Sequence, residues 1–352
     1  MSPGPHATSQ EQHMAVTMHD VARLAGVSVK TVSNVVNDYP YVRESTRAKV
    51  VDAIEKLGYK VNQSARNLRR GSTGLLCLAV PELKLAYFAE LADAVIAAAE
   101  GYGRTVLIEQ TNSDRGREAR VLHDSRQHLF DGLLFSPLEL GQDDIAQFHV
   151  DYPLVLLGER VFGAPADHVT MANTEAAEVA TAHLLGMGRR RVALVGAHAG
   201  EVVGSAGLRE AGYRAAHARA GLEVDERLVR EAGLWHRASG AEATRRLIEE
   251  GVDFDGVFAL NDAMAIGALH ELLKAGVRVP EDVAVIGFDD IEDTQYTQPS
   301  LSTIDPGPHW IAQRAVELLV GRIDERLAGA ERAPYRHEVA PFRLVERGST
   351  TG

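Results

Sequence analysis

The sequence predicts an α/β protein in which a small all-α head precedes a larger body of doubly wound parallel sheets. Three observations predict it. Residues 17–70 carry helix caps and a 3.6-residue apolar period. The same stretch holds ten Lys and Arg against five Asp and Glu, whereas the whole chain of 352 residues has a formal charge of −12, so the remainder sits at −17. After residue 74, apolar runs alternate with amphipathic stretches, the pattern of strands buried beneath helices.

The first helix should start at Thr17, whose hydroxyl can cap free N–H groups while Asp20 answers three residues on. Val21, Leu24 and Ala25 form its expected inner face, and Gly26 supplies the turn. Ser28 can cap a second helix with Val32, Val35 and Val36 at core spacing. Val29, Lys30, Thr31, Ser33 and Asn34 stand near its start. That is how a helix-turn-helix offers its recognition helix to the major groove of duplex DNA. A third helix is expected over residues 44–57, with Val50, Ile54 and Leu57 inside and Gly58 as its stop. Taken singly, each could be an ordinary surface helix; the charge partition argues otherwise. A basic head on an acidic body concentrates phosphate attraction in one module.

In the body, strands are expected at 75–80, 105–109, 132–135, 154–157, 192–195, 256–260 and 283–288, and helices at 87–100, 175–185, 240–249 and 263–275. About 280 residues exceed what one compact sheet domain of this kind needs, so two lobes are expected. Cys77 falls in an apolar run and reads as an inert core residue of a reducing compartment. The fourteen histidines show no zinc-protease spacing and no Cys/His array, so neither metal nor cofactor is expected. Gly196 to Gly200 lacks the Gly-Lys-Ser/Thr of a phosphate loop. Residues 1–16 are polar and no run of about 18 apolar residues occurs, which argues against secretion and membrane insertion. The expected compartment is the cytoplasm, at the nucleoid. No nucleophile or acid/base pair has convincing spacing, so an enzyme is not expected.

The segments DVARLAGVSVKTVSNVVN, TRAKVVDAIEKLGYKVNQSARNLRR and GFDDIEDTQYTQPSLSTI closely resemble LacI/GalR-type transcriptional regulators, and the resemblance covers nearly everything after residue 16. It implies a tail at 1–16, a DNA-binding head at 17–61, a hinge helix and linker at 62–73, and an effector-binding, dimerising body at 74–352. The body would have two lobes like periplasmic sugar-binding proteins, lobe 1 at about 74–172 and 305–333, lobe 2 at about 173–304 and 334–352. Crossovers are expected near 171–174, 304–307 and 332–335.

The resemblance also assigns roles. Val29, Lys30 and Asn34 would face bases: Lys30 toward guanine O6 or N7, Asn34 toward adenine, Val29 only by van der Waals contact, as to a thymine methyl. The alternative for Lys30 and Asn34 is phosphate contact alone. Thr31, Ser33 and Asn37 would set the head on the backbone, and Thr17 and Ser28 would also meet DNA. In the hinge, Asn62, Ala65, Arg66 and Leu68 would meet DNA, Leu68 as a wedge in a central minor-groove step; composition alone reads this stretch as a basic linker. Asp289, Arg209, Asn261 and Trp235 match effector-contact positions. For Tyr87 and Phe88 two readings stand, ligand wall or core packing. Carboxylate, guanidinium, amide and aromatic face suit a polyhydroxylated ring, so a sugar or sugar derivative is the expected effector. The alternative is a purine- or nucleoside-responsive or corepressor-dependent regulator. Two departures bear on ligand class: Gly158-Glu159-Arg160 where lactose-type members have an aspartate, and Pro308 where they have a cleft phenylalanine. The implied assembly is a homodimer on a palindromic operator, without a tetramer-forming heptad segment.

Overall fold

A computed structural model describes residues 16–36, 39–59, 72–124 and 129–351. The chain divides into two compact units, Met1–Gly71 and Ser72–Gly352.

The described residues of the first unit form α1 (Met18–Ala25), α2 (Val29–Val36) and α3 (Glu44–Leu57). Thr17 and Asp20 form a reciprocal capping box: Thr17 N donates to Asp20 Oδ2 at 3.0 Å and Asp20 N to Thr17 Oγ1 at 3.4 Å. Gly26, at φ 65°, ends α1 in the left-handed conformation that a side chain disfavours. Ser28 Oγ then accepts from Thr31 N at 3.1 Å to open α2. Val21, Ala22, Val32, Val35, Val50, Ala53 and Tyr59 are buried together. Leu24 departs from expectation: it is 51% exposed. At about 100° per residue, the arc shared by Val21, Ala22 and Ala25 leaves Leu24 on the flank.

The second unit contains two parallel sheets. The first holds β1 (Leu75–Val80), β2 (Thr105–Gln110), β3 (Gly132–Phe135), β4 (Leu154–Leu157), β5 (Asp167–Met171) and β11 (His337–Ala340), in the order β11-β5-β4-β3-β1-β2. It is flanked by α4 (Ala86–Glu100), α5 (Arg115–His123) and α10 (Pro308–Leu327). The pleat of β1 sends Leu76, Leu78 and Val80 into the core under α4 and α10, and Cys77 and Ala79 into the opposite one.

The second sheet runs β7-β6-β8-β9 and comprises β6 (Val192–Ala197), β7 (Val229–Glu231), β8 (Gly256–Ala259) and β9 (Ala284–Ile286). Around it lie α6 (Asn173–Gly186), α7 (Ser205–Arg219), α8 (Arg237–Glu249) and α9 (Asp262–Lys274). β10 (Thr303–Asp305) and β12 (Arg343–Val345) pair antiparallel beside it.

The chain passes between lobes after Met171, after Asp305 and after Ala340. The third passage corrects the expectation of 332–335. β11 runs parallel to β5, with Ala340 opposite Met171, so residues 334–340 belong with the first lobe. Its segment His-Glu-Val-Ala is a half-exposed edge strand with no apolar run to announce it. Among the described residues, no helix is long and apolar enough to cross a membrane.

Candidate functional site

Between the lobes lies a cavity of about 250 Å³, walled by residues just past the carboxyl ends of the strands. This is where open α/β sheets expose loop side chains to a crevice. Tyr87, Phe88, Arg209, Trp235, Asn261 and Asp289 all line it.

Tyr87 and Phe88 open α4 and meet edge to face, with centroids 5.2 Å apart. Burial beside the Asp289 and Glu159 carboxylates pushes the Tyr87 phenol far up, so it stays a neutral hydroxyl. That hydroxyl makes no hydrogen bond among the described residues, whereas the buried Tyr152 and Tyr213 donate to the Leu122 and Val192 carbonyls. Trp235 is fixed by its indole N–H donating to Gly196 O at 3.0 Å.

Arg209, on α7, is buried and largely committed: Nε donates to Asn173 Oδ1 at 2.7 Å, Nη1 to Leu260 O, and the guanidinium carbon stands 3.6 Å from the Phe288 centroid. Its Nη1 is 3.8 Å from Asp289 Oδ1, outside hydrogen-bond reach. The carboxyl of Asp289 is buried with no hydrogen-bond donor among the described residues. Burial raises its pKa well above the carboxylate range; Arg209 opposes the rise and Asp262 adds to it. Asn261 turns out to be the N-cap of α9: Oδ1 accepts from Met264 N at 2.8 Å, and Nδ2 donates to Trp235 O at 3.0 Å. Its clearest work is to hold Trp235 in place.

Several wall residues lie beyond the expected effector contacts, Glu159 and Arg160 among them, which the sequence marks only as a departure from lactose-type members. Glu159 accepts from Met171 N at 2.8 Å in its own lobe and from Ser205 Oγ at 2.9 Å in the other. Glu82 meets His236 Nε2 at 2.6 Å across the cleft, and Arg160 meets Glu201 at 3.1 Å. The Glu201 hydrogen bond raises the His198 pKa against the effect of burial. Each follows a strand end closely, and that position was the signal available. Pro308 is corrected as a cleft position: it occupies the first turn of α10 and does not line the cavity. Its fixed φ and missing N–H suit that turn.

In the first unit, the Thr17 and Ser28 hydroxyls are engaged in capping. Lys30 is exposed on α2, Thr31, Ser33 and Asn34 are half-buried there, and Val29 packs against the head core. Asn37, Asn62, Ala65, Arg66 and Leu68 lie outside the described residues.

Residues 17–62 match the family described as bacterial regulatory proteins, lacI family, and residues 181–350 match the periplasmic binding protein-like domain. The ribose operon repressor of Escherichia coli K12 is 33% identical over 335 residues, 95% of this chain and 99% of the relative. The chain belongs to the LacI family. The structure of a LacI-family transcriptional regulator from Sanguibacter keddieii is 51% identical at a TM-score of 0.72, over 79% of this chain and 99% of that one. The lac repressor dimer, solved with operator and an anti-inducer, superposes at a TM-score of 0.83 with 28% identity, over 96% of this chain and 100% of that one. The expected family and fold class are therefore met: this LacI-family repressor has the helix-turn-helix domain and the periplasmic-binding-like fold.

Proposed function

We propose that this LacI-family repressor binds a palindromic operator as a homodimer and releases or tightens it in response to a sugar or sugar derivative held between the lobes. The observation that carries the ligand class is the cavity's pairing of aromatic faces with open polar groups. Tyr87, Phe88 and Trp235 supply the apolar walls, while the Tyr87 hydroxyl and Asp289 carboxyl face the cavity without hydrogen bonds of their own. Buried polar groups left unpaired are costly. A ring bearing several hydroxyls would satisfy both, with its flatter side on an aromatic face. The ribose operon relative gives pentoses a place in the trial set.

On DNA, Lys30 and Asn34 would read bases from α2, Thr17, Ser28, Thr31, Ser33 and Asn37 would steady the head, and the hinge set Asn62, Ala65, Arg66 and Leu68 would open the minor groove. Effector and operator affinities must then be linked reciprocally. Calorimetry with pentoses, hexoses and disaccharides against hypoxanthine and guanine tests the ligand class; binding of a base and of no saccharide sinks it. With the effective saccharide, Asp289→Ala should weaken binding by about 5- to 100-fold, the cost of leaving a buried ligand hydroxyl without its partner, and leave effector-free operator affinity within about two-fold. An unchanged saccharide isotherm removes Asp289 from ligand contact.

A further inference from the structure

We propose that Asp131 is a positioning residue for operator binding, the post by which the body holds the chain segment that leads to the DNA-reading head. This rests on the operator-binding reading above. In sequence, the connection from the head enters the body at Ser72, Thr73 and Gly74, the residues that precede β1. One carboxylate captures all three. Asp131 Oδ1 accepts from Thr73 N at 2.6 Å and Thr73 Oγ1 at 3.0 Å; Oδ2 accepts from Ser72 Oγ at 2.6 Å and Gly74 N at 2.8 Å. Arg104 Nη1 closes the knot, 2.8 Å from Oδ2 and 3.0 Å from Ser72 Oγ.

The placement gives the knot its function. Asp131 immediately precedes β3 and Arg104 immediately precedes β2, the two strands that flank β1. Thr105 N also donates to Gly74 O, and Asp131 N to Leu75 O. The segment is thus tied to three adjacent strands at their amino ends, while the cavity sits past the carboxyl ends of the same sheet. The Asp131 and Arg104 side chains are only 7% and 13% exposed, so water competes weakly for these bonds. A displacement of the first lobe must carry residues 72–74 with it. Cutting the knot leaves Gly74 held by the chain and by the Thr105 amide alone, so that Ser72 and Thr73 can pivot relative to the lobe.

The test uses the full chain and a duplex that the wild type selects from random sequence. Asp131→Ala should lower affinity for that duplex by about ten-fold or more while affinity for random DNA at the same salt stays within about two-fold, because nonspecific binding needs only phosphate contact. Hydrogen exchange should show Thr73 and Gly74 losing protection while the centre of β1 keeps its own. Should Asp131→Ala fail to fold, Ser72→Ala with Thr73→Ala removes two donors and leaves the carboxylate in place; the same selective loss, smaller, is expected. Equal losses on selected and random duplexes, or lost protection at Thr73 and Gly74 with unchanged selected-duplex affinity, overturns the inference. A wild-type chain that selects no duplex overturns the operator reading itself, and this inference with it.

Discussion

Asp289 holds φ 123° and Asp290 φ 53°, conformations that side chains rarely adopt. Backbone strain of this kind costs of order 1–3 kcal/mol per residue and persists where the surroundings enforce it. Here Asp289 N donates to Ile304 O at 2.8 Å, and Asp290 pairs with Arg347 at 2.7 Å, so the chain turns the Asp289 carboxyl into the cavity. Behind it, Asp262 accepts from Thr303 Oγ1 at 2.6 Å and Ile291 N at 3.1 Å. Burial pushes Asp262 up to about 7, against those two hydrogen bonds and with help from Asp290. Its folded pKa is above its unfolded one, so the native state binds more protons between the ordinary value of 3.8 and about 7. Stability from this group is therefore lost as pH rises through that window. Asp262→Asn, which cannot ionise, should flatten the fall in melting temperature across it; a parallel pH profile in the variant would show that the strain of ionisation lies elsewhere. At this scale the six cavity residues were legible from the family motifs and strand ends. What each touches was not: Asn261 serves its own helix and Trp235, a partner 26 residues away.

The helices of the second lobe pair closely, α6 on α7 and α8 on α9, and glycines make the approach possible. A methyl group on Gly240 would collide with the Met264 backbone carbonyl, one on Gly267 with that of Arg237, and one on Gly212 with that of Thr174. Mid-helix glycine costs roughly 1 kcal/mol relative to alanine, so propensity alone favours Gly240→Ala. The opposing atoms are backbone and cannot swing aside. Gly240→Ala should therefore destabilise by about 1–3 kcal/mol, the usual cost of overpacking, seen as a lower denaturation midpoint. A higher midpoint would mean that α8 and α9 can separate freely. Elements with strong local signals were readable in advance: β1, β3, β4, β6 and β8 are short apolar runs, and α3 spans the expected 44–57. β5, β7, β10, β11 and β12 were not, because three to five residues of mixed polarity carry no period.

Across the whole second unit, polar contacts join the lobes on the cavity wall and beside it: Glu82 with His236, Glu159 with Ser205, Arg160 with Glu201, and Glu90 with the Glu292 amide at 2.9 Å. Partly exposed pairs contribute on the order of 1 kcal/mol or less each, so no single one holds the lobes together. Their sum can bias an equilibrium between closed and open forms, which a ligand then shifts by its differential affinity. His236→Ala combined with Arg160→Ala should populate the open form. In a Trp310→Phe background, which leaves Trp235 as the sole tryptophan, its emission should move to longer wavelength as the cleft admits water. An unshifted spectrum would mean that these contacts follow closure without favouring it.

Residue order alone determined the parts whose stabilising partners lie nearby: the Thr17–Asp20 cap, the left-handed stops at Gly26 and Gly58, the basic head on an acidic body, and the alternation that builds parallel sheets. Capping, turn geometry and apolar period act over three or four positions, so a linear text records them. Only the tertiary structure decided that the chain crosses back after Ala340, that Glu159 reaches Ser205 46 residues on, and that Asp131 gathers a segment 57 to 59 residues before it. Polar groups so far apart have no shared period; they meet because burying the apolar strands brings their loops together, and once buried they must find partners.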